Sequence, residues 1–286
     1  MKPAPFAYHA PESVDEVLDL LARGDDTRVL AGGQSLVPLM KFRVLKPAVL
    51  VDVNRLPGLA GVEERNGGLT VGALTRQQAL VDDEVAAQAQ PLLRAAGRHA
   101  GYLATRHRGT VGGSLAYAAP WAELTAAAVA LDATVHVRST RGERTVAARE
   151  FFRGPHETAL AADELLTEVS FPARPPRSGA GFHEATTGRG GYLNVAAAAT
   201  VALDEAGACA AAEVVLLRVA PTPYRLDTAA LRGSTLEEDA LAELDGELDG
   251  LDPPDDVEVT GMYRKRVARS LARRALLDAL HAARAA

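Results

Sequence analysis

A single cysteine, Cys209, stands among the 286 residues. One thiol forms no intrachain disulfide, ligates no iron–sulfur cluster and builds no cysteine zinc site. Its alanine-rich apolar surroundings read as core. Aromatic residues are scarce at 5 %, so the 48 % of apolar residues must pack largely as small aliphatic side chains. Positive charge is not in surplus: 31 Lys and Arg face 37 Asp and Glu, a net charge of −6. A nucleic-acid partner would ask for the opposite balance, so none is expected. The one basic stretch, residues 264–274, has helical spacing and reads as a solvated helix face. No run approaches the roughly 18 uninterrupted apolar residues of a membrane span. No signal-peptide pattern precedes Phe6, and a cytoplasmic protein is the expectation. The seven histidines show no paired-ligand spacing, and His183-Glu184 lacks a second histidine one turn on, so no metal site is expected. A Gly-x-Ser-x-Gly nucleophile elbow is missing. So is the three-glycine fingerprint between strand and helix that marks a Rossmann dinucleotide site. No histidine, cysteine or carboxylate dyad is arranged for an independent reaction, and no catalytic side chain is assigned.

The length fits two domains. Residues 14–21 carry a helical apolar stripe that stops before Gly24. Short strands are expected at 28–30, 48–53, 69–73, 134–138, 144–147 and 165–171, with helices at 84–98 and 121–132. Three prolines between residues 172 and 176 break any regular element. A domain boundary is placed there, giving residues 1–175 (subdomains of about 1–57 and 58–175) and 178–286. Beyond it, strands are expected at 181–186, 194–203 and 208–219, the last two joined by the turn Asp204-Glu205-Ala206-Gly207. Helices at 236–248 and 260–284 close the chain. Strands and helices alternate irregularly, which indicates an α+β fold.

Two glycine-rich runs carry the chemistry. The first is Ala31-Gly32-Gly33-Gln34-Ser35-Leu36, after a strand; the second is Thr110-Val111-Gly112-Gly113-Ser114. Glycine admits positive φ and lets a ligand approach the backbone closely. Successive N–H groups in such turns converge into an anion-binding nest. Gln34, Ser35, Thr110 and Ser114 can add side-chain hydrogen bonds. Either run alone reads equally well as a tight turn. As a facing pair they suit a diphosphate gripped from two sides.

The flanking residues extend the pattern. Ala31 to Met40 and Arg106 to Ala116, about 80 residues apart, resemble the two flavin loops of the FAD-binding medium subunit of molybdenum hydroxylases, the family of carbon monoxide dehydrogenase and xanthine dehydrogenase. The resemblance extends to residues 3–8, to Val51-Asp52-Val53 and to Tyr263-Arg264-Lys265-Arg266. It implies a fold: a two-subdomain FAD domain of the PCMH or vanillyl-alcohol-oxidase type, then a smaller α+β domain with a three-stranded sheet and helices. It implies FAD between the subdomains, its pyrophosphate against both loops. It also implies flavin contacts for Glu123, for Leu165 and Leu166, and for Tyr192, whose ring would cover the isoalloxazine.

Two stretches depart from the family pattern. Relatives commonly carry His-Ala-Asp-Pro after the second loop, where this chain has Tyr117-Ala118-Ala119-Pro120. Relatives also carry Arg-Arg-x-Gly-Asp-Tyr where this chain has Thr187-Gly188-Arg189-Gly190-Gly191-Tyr192, and residues 186–191 are expected to be flexible. Trp121 reads as core or subunit contact rather than a flavin-stacking group. The resemblance implies a subunit that relays electrons from iron–sulfur clusters to an external acceptor, beside an iron–sulfur small subunit and a molybdopterin large subunit. The two departures keep an alternative open: a stand-alone FAD-dependent oxidoreductase acting on a small molecule, derived from the same subunit.

Overall fold

The computed structural model describes residues 1–24, 26–187 and 192–286. Most of the glycine-rich stretch for which the sequence suggests flexibility, residues 188–191, lies outside the described residues.

Among the described residues three sheets organise the fold, with a two-stranded ribbon beside them. The first is parallel, with Ala7–His9 and Thr27–Leu30 flanking Val49–Asp52. Parallel neighbours need a crossover, and helix Val14–Ala22 lies in one. The Ser13 hydroxyl caps it by accepting the Glu16 N–H at 3.2 Å, and the Glu16 carboxylate accepts the Glu12 N–H at 3.1 Å. This is a near relative of the capping box. Val17, Leu18 and Leu21 form the buried face and meet Val51 and Val53. Leu30 pairs with Asp52 at the carboxyl ends of their strands. The first glycine run and residues 52–54 therefore emerge side by side.

The second sheet is antiparallel, in the order Val62–Arg65, Gly68–Gly72, Leu165–Phe171, Thr134–Ser139, Gly142–Ala147. Helices Gln77–Asp82, Pro91–Gly97, Val111–Tyr117 and Glu123–Ala130 contribute to its core, meeting Leu69, Val71, Val135, Val137 and Val169. The helix expected over 84–98 is two helices, Glu84–Ala89 and Pro91–Gly97. Pro91 has no N–H to continue the first and is preorganised to start the second. Helix Glu123–Ala130 is buried from Leu124 onward, because it also packs against the third sheet.

The third sheet is antiparallel: Ser178–Thr186, Leu193–Leu203 and Cys209–Leu217, with Tyr224–Arg225 as a fourth edge strand. Two residues are too few to leave a periodic signal, so the sequence suggests only three strands. Helix Gly261–Ala285 lies across the first two. A Cβ on Gly181 would overlap the carbonyl oxygen of Ala275, and one on Gly179 that of Ala279. The small residues let helix and sheet approach closely. No helix among the described residues is long and apolar enough to cross a membrane.

Gly181→Ala is expected to overpack this contact and cost about 1–3 kcal/mol. Gly246→Ala adds a Cβ that meets nothing within 4 Å on helix Glu238–Gly250, and it should be neutral or stabilising by up to about 1 kcal/mol. Chemical denaturation midpoints of the two variants check the contrast.

Candidate functional site

The two glycine runs lie against each other. A Cβ on Gly32 would strike the carbonyl oxygen of Arg108 and stand 2.8 Å from the Gly109 Cα. A Cβ on Gly113 would stand 3.8 Å from that of Ala31. The glycines serve different ends. Gly33 alone of the four has a positive φ, 72°. Gly32 is required by the approach of the second loop, and Gly112 by Ala73, whose Cβ would lie 2.6 Å from a Cβ added there.

The first loop leads from strand Thr27–Leu30 into helix Leu36–Lys41, with Ser35 at the N-cap. Among the described residues, the N–H groups of Gly32, Gly33, Gln34 and Ser35 meet no protein acceptor. The Gln34 side chain folds back to donate to the Gly32 carbonyl at 3.1 Å. Ala31, Gly32, Gly33 and Gln34 line a cavity of about 560 Å³, with Lys41 and Arg108 on its wall. That size is ordinary for a small-molecule cleft.

The second run is not a free nest. It follows the short helix Leu103–Arg106 rather than a strand, and it forms the first turn of helix Val111–Tyr117. Its backbone donors are committed: Val111 to Thr75 O at 3.0 Å, Gly112 to Ala73 O at 2.8 Å, Gly113 to Thr110 Oγ1 at 3.1 Å and Ser114 to Thr110 O at 3.0 Å. Its contribution is rigid surface, together with the Ser114 hydroxyl, which makes no hydrogen bond to a described residue. The sequence treats the two runs as equivalent because it shows glycines but not where donors go.

Two residues that local patterns do not single out hold the loops together. Asn54 donates to the Ala31 carbonyl at 2.8 Å and to Asp52 Oδ1 at 2.6 Å. Arg76 donates to Asn54 Oδ1 at 2.8 Å and to the Arg108 carbonyl at 2.7 Å. One guanidinium thus spans both loops. Burial tends to raise the Asp52 pKa, but the Asn54 N–H, the Tyr8 hydroxyl at 2.7 Å and the Asn54 amide outweigh it and hold the carboxyl below its ordinary value. Arg106 lies apart, donating to Gln78 Oε1 and the Gly101 carbonyl at 2.8 Å each.

The remaining candidates lie on the second sheet and where its helices meet the third. Glu123 opens helix Glu123–Ala130, and burial pushes its pKa up to about 8, with Glu184 adding to the shift. Glu184, on the third sheet, pairs with His99 Nδ1 at 3.0 Å, and that hydrogen bond raises the histidine's pKa. Leu165 and Leu166 begin the central strand of the second sheet and point to opposite faces. Leu165 joins the core of the first sheet and Leu166 that of the second. Tyr192 is 65 % exposed and packs on Trp121 with ring centroids 4.9 Å apart.

These features suit the diphosphate of a dinucleotide: unclaimed N–H groups, walls thinned by glycine, and two cations nearby. Gly32→Val is expected to push the loops apart and abolish FAD retention, read as loss of flavin absorbance in the purified protein. Arg76→Ala should weaken FAD binding by about 1–3 kcal/mol. Arg76→Lys should recover little, since a single ammonium lacks the fork that reaches both acceptors; titration calorimetry distinguishes the two. Glu123 and His99 also set a pH dependence. Each has a folded pKa above its unfolded value, so the stability these two groups contribute is fully present at low pH. It should fall as pH rises from about 4.5 to about 8, where Glu123 is ionised only in the unfolded chain. Glu123→Gln should flatten that slope in thermal melts, and a slope left intact would contradict the assignment.

Residues 4–174 match the family described as the FAD-binding domain in molybdopterin dehydrogenase, and residues 180–279 match the carbon monoxide dehydrogenase flavoprotein C-terminal domain. The chain is 40 % identical to the 6-hydroxypseudooxynicotine dehydrogenase complex subunit alpha of Paenarthrobacter nicotinovorans, covering 99 % of this chain and 97 % of that one. It is 32 % identical to the carbon monoxide dehydrogenase medium chain of Hydrogenophaga pseudoflava over 96 % and 97 % of the two chains. In a solved structure of the carbon monoxide dehydrogenase from that organism, one chain superposes with a TM-score of 0.95 at 31 % identity, covering 98 % of this chain and 99 % of the other. With the abutting loops, these matches establish that the chain belongs to the FAD-binding medium subunits of the molybdenum hydroxylase family, and that it is the FAD-binding subunit of an oxidoreductase.

Proposed function

We propose that this chain relays electrons, through FAD, from iron–sulfur clusters on a small partner subunit to an external acceptor, in a complex whose large subunit carries the molybdopterin centre. The observation that supports it is coverage. The chain matches medium subunits over essentially their whole length as well as its own. Its single cysteine cannot hold clusters, so the other redox centres belong to other chains.

Bound FAD supplies the exchange of one or two electrons, and that chemistry is the cofactor's own. The chain's residues hold and shield it. The free N–H groups of residues 32–35 take the diphosphate, with Ala31 and Leu36 framing the turn. Thr110, Val111, Gly112, Gly113 and Ser114 close the opposite wall. Glu123, held protonated at neutral pH by its surroundings, donates a hydrogen bond that an ionised carboxylate could not make. The strand backbone at Leu165 and Leu166, whose side chains enter the two separate cores, flanks the ring, and the Tyr192 ring covers one face. Residues 1–175 form the FAD domain, as subdomains of about 1–57 and 58–175, and residues 178–286 form the second domain.

Copurification from the native cell tests the relay. The expected result is three chains with iron, molybdenum and FAD, in which substrate reduces the flavin only when the clusters are intact. An isolated, FAD-loaded chain that oxidises a small molecule unaided at the rate of the native preparation would contradict it and favour the stand-alone oxidoreductase.

A further inference from the structure

Arg218 is strained and incompletely satisfied. Its φ is 68°, a left-handed conformation uncommon for a long side chain. Its guanidinium pairs with Asp256, and its Nε is buried without a partner among the described residues. Asp256 also takes Arg264, which is 1 % exposed and donates to the carbonyls of Asn194 and Pro254 as well. The N–H groups of Val259 and Glu258 hold Asp256 ionised, at 3.0 and 2.9 Å. One fixed carboxylate therefore serves two arginines.

The free face of Arg218 lies over the Trp121 indole, 5.7 Å from the ring centroid, a cation–π arrangement. His156 meets the same indole edge-on at 5.5 Å and is itself packed on Tyr117 at 4.5 Å. Tyr192 meets it at 4.9 Å, with the ring planes 53° apart. Trp121 is thus held by Arg218 from the second domain and by His156 from the first, and Tyr192 rests against it. Thr187 and Asn194, which lie on either side of Tyr192 in the sequence, are tied to each other and to this cluster. Thr187 Oγ1 donates to Glu258 at 3.2 Å and accepts from the Asn194 amide at 2.7 Å, while the Asn194 carbonyl takes Arg264. A tryptophan that merely filled an interface would need neither a strained backbone nor a partly unpaired buried cation above it.

We propose that Trp121 is a positioning residue: the indole, pinned by Arg218 and His156, props the exposed Tyr192 ring at the angle at which it covers the flavin. The inference rests on the reading above that Tyr192 is the covering ring. Without the indole, a phenol as exposed as this one would exchange among staggered rotamers that point into water.

The test uses the full chain loaded with FAD and reads iodide quenching of flavin fluorescence together with the flavin midpoint potential. Tyr192→Ala is the reference, and it should raise the quenching constant and shift the potential. If Tyr192→Ala changes neither, Tyr192 does not cover the flavin, and the reading beneath the proposal fails. Given that change, Trp121→Ala should reproduce it, with a roughly two- to tenfold rise in quenching. Trp121→Phe should restore most of the wild-type value, and Arg218→Gln should fall between. The Trp121→Ala/Tyr192→Ala double variant should match Tyr192→Ala alone, because one side chain acts through the other. Wild-type quenching in both Trp121→Phe and Arg218→Gln, with either wild-type quenching or failure to fold in Trp121→Ala, would overturn the proposal. So would additive effects in the double variant, which would mean that the indole meets the flavin itself.

Discussion

The site depends on one backbone contact: Gly32 lies so close to the Arg108 carbonyl and Gly109 that no side chain fits between them. Everything around the cavity follows from that approach. The parallel pairing of Leu30 with Asp52 brings the first loop to the edge of its sheet. The bonds from Val111 and Gly112 to Thr75 and Ala73 fasten the second loop to the next subdomain. Arg76 then joins the two by reaching Asn54 and the Arg108 carbonyl from a single planar group. Two separate cores are thereby locked together beside the cavity that suits a diphosphate.

The loops divide the labour. The first leaves its N–H groups unclaimed, which for an accessible turn is inexpensive in water and favourable once an anion arrives. The second spends its donors on holding shape. A site made of two free nests would be floppier. A site made of two satisfied turns would have nothing to offer a phosphate. The same economy appears at the domain junction, where burial keeps Glu123 protonated and the His99–Glu184 pair takes up the neighbouring charge. The proposed electron relay asks for a held and shielded cofactor more than for a general base, and these arrangements suit that demand.

Much of this was legible in the sequence. Strand 165–171 has the bounds that its apolar pattern suggests, and helix Gly261–Ala285 lies within one residue of its expected span. Both are long or strongly patterned, so local signals suffice. The glycine runs were visible as pairs, but their roles were not. Whether a glycine is kept for positive φ, as at Gly33, or for close approach, as at Gly32, depends on what lies across from it in space. Arg76 and Asn54 were missed for the same reason. Arginine after a strand is unremarkable until the fold sets the Arg108 carbonyl before it. Trp121 packs against the core, as its local surroundings suggest. Its position between Arg218 and Tyr192 joins residues nearly a hundred positions apart, beyond any local pattern. The break at Gln90 was the reverse case, since Pro91 announced it and the apolar periodicity across 84–98 concealed it.

Hydrogen–deuterium exchange of the protein with and without FAD tests the central claim most directly. The account predicts that amides 32–35 exchange fast in the FAD-free protein and become protected when FAD binds. It predicts that amides 111–114, already bonded to Thr75, Ala73 and Thr110, change little. Protection gained at 111–114 with none at 32–35 would contradict it.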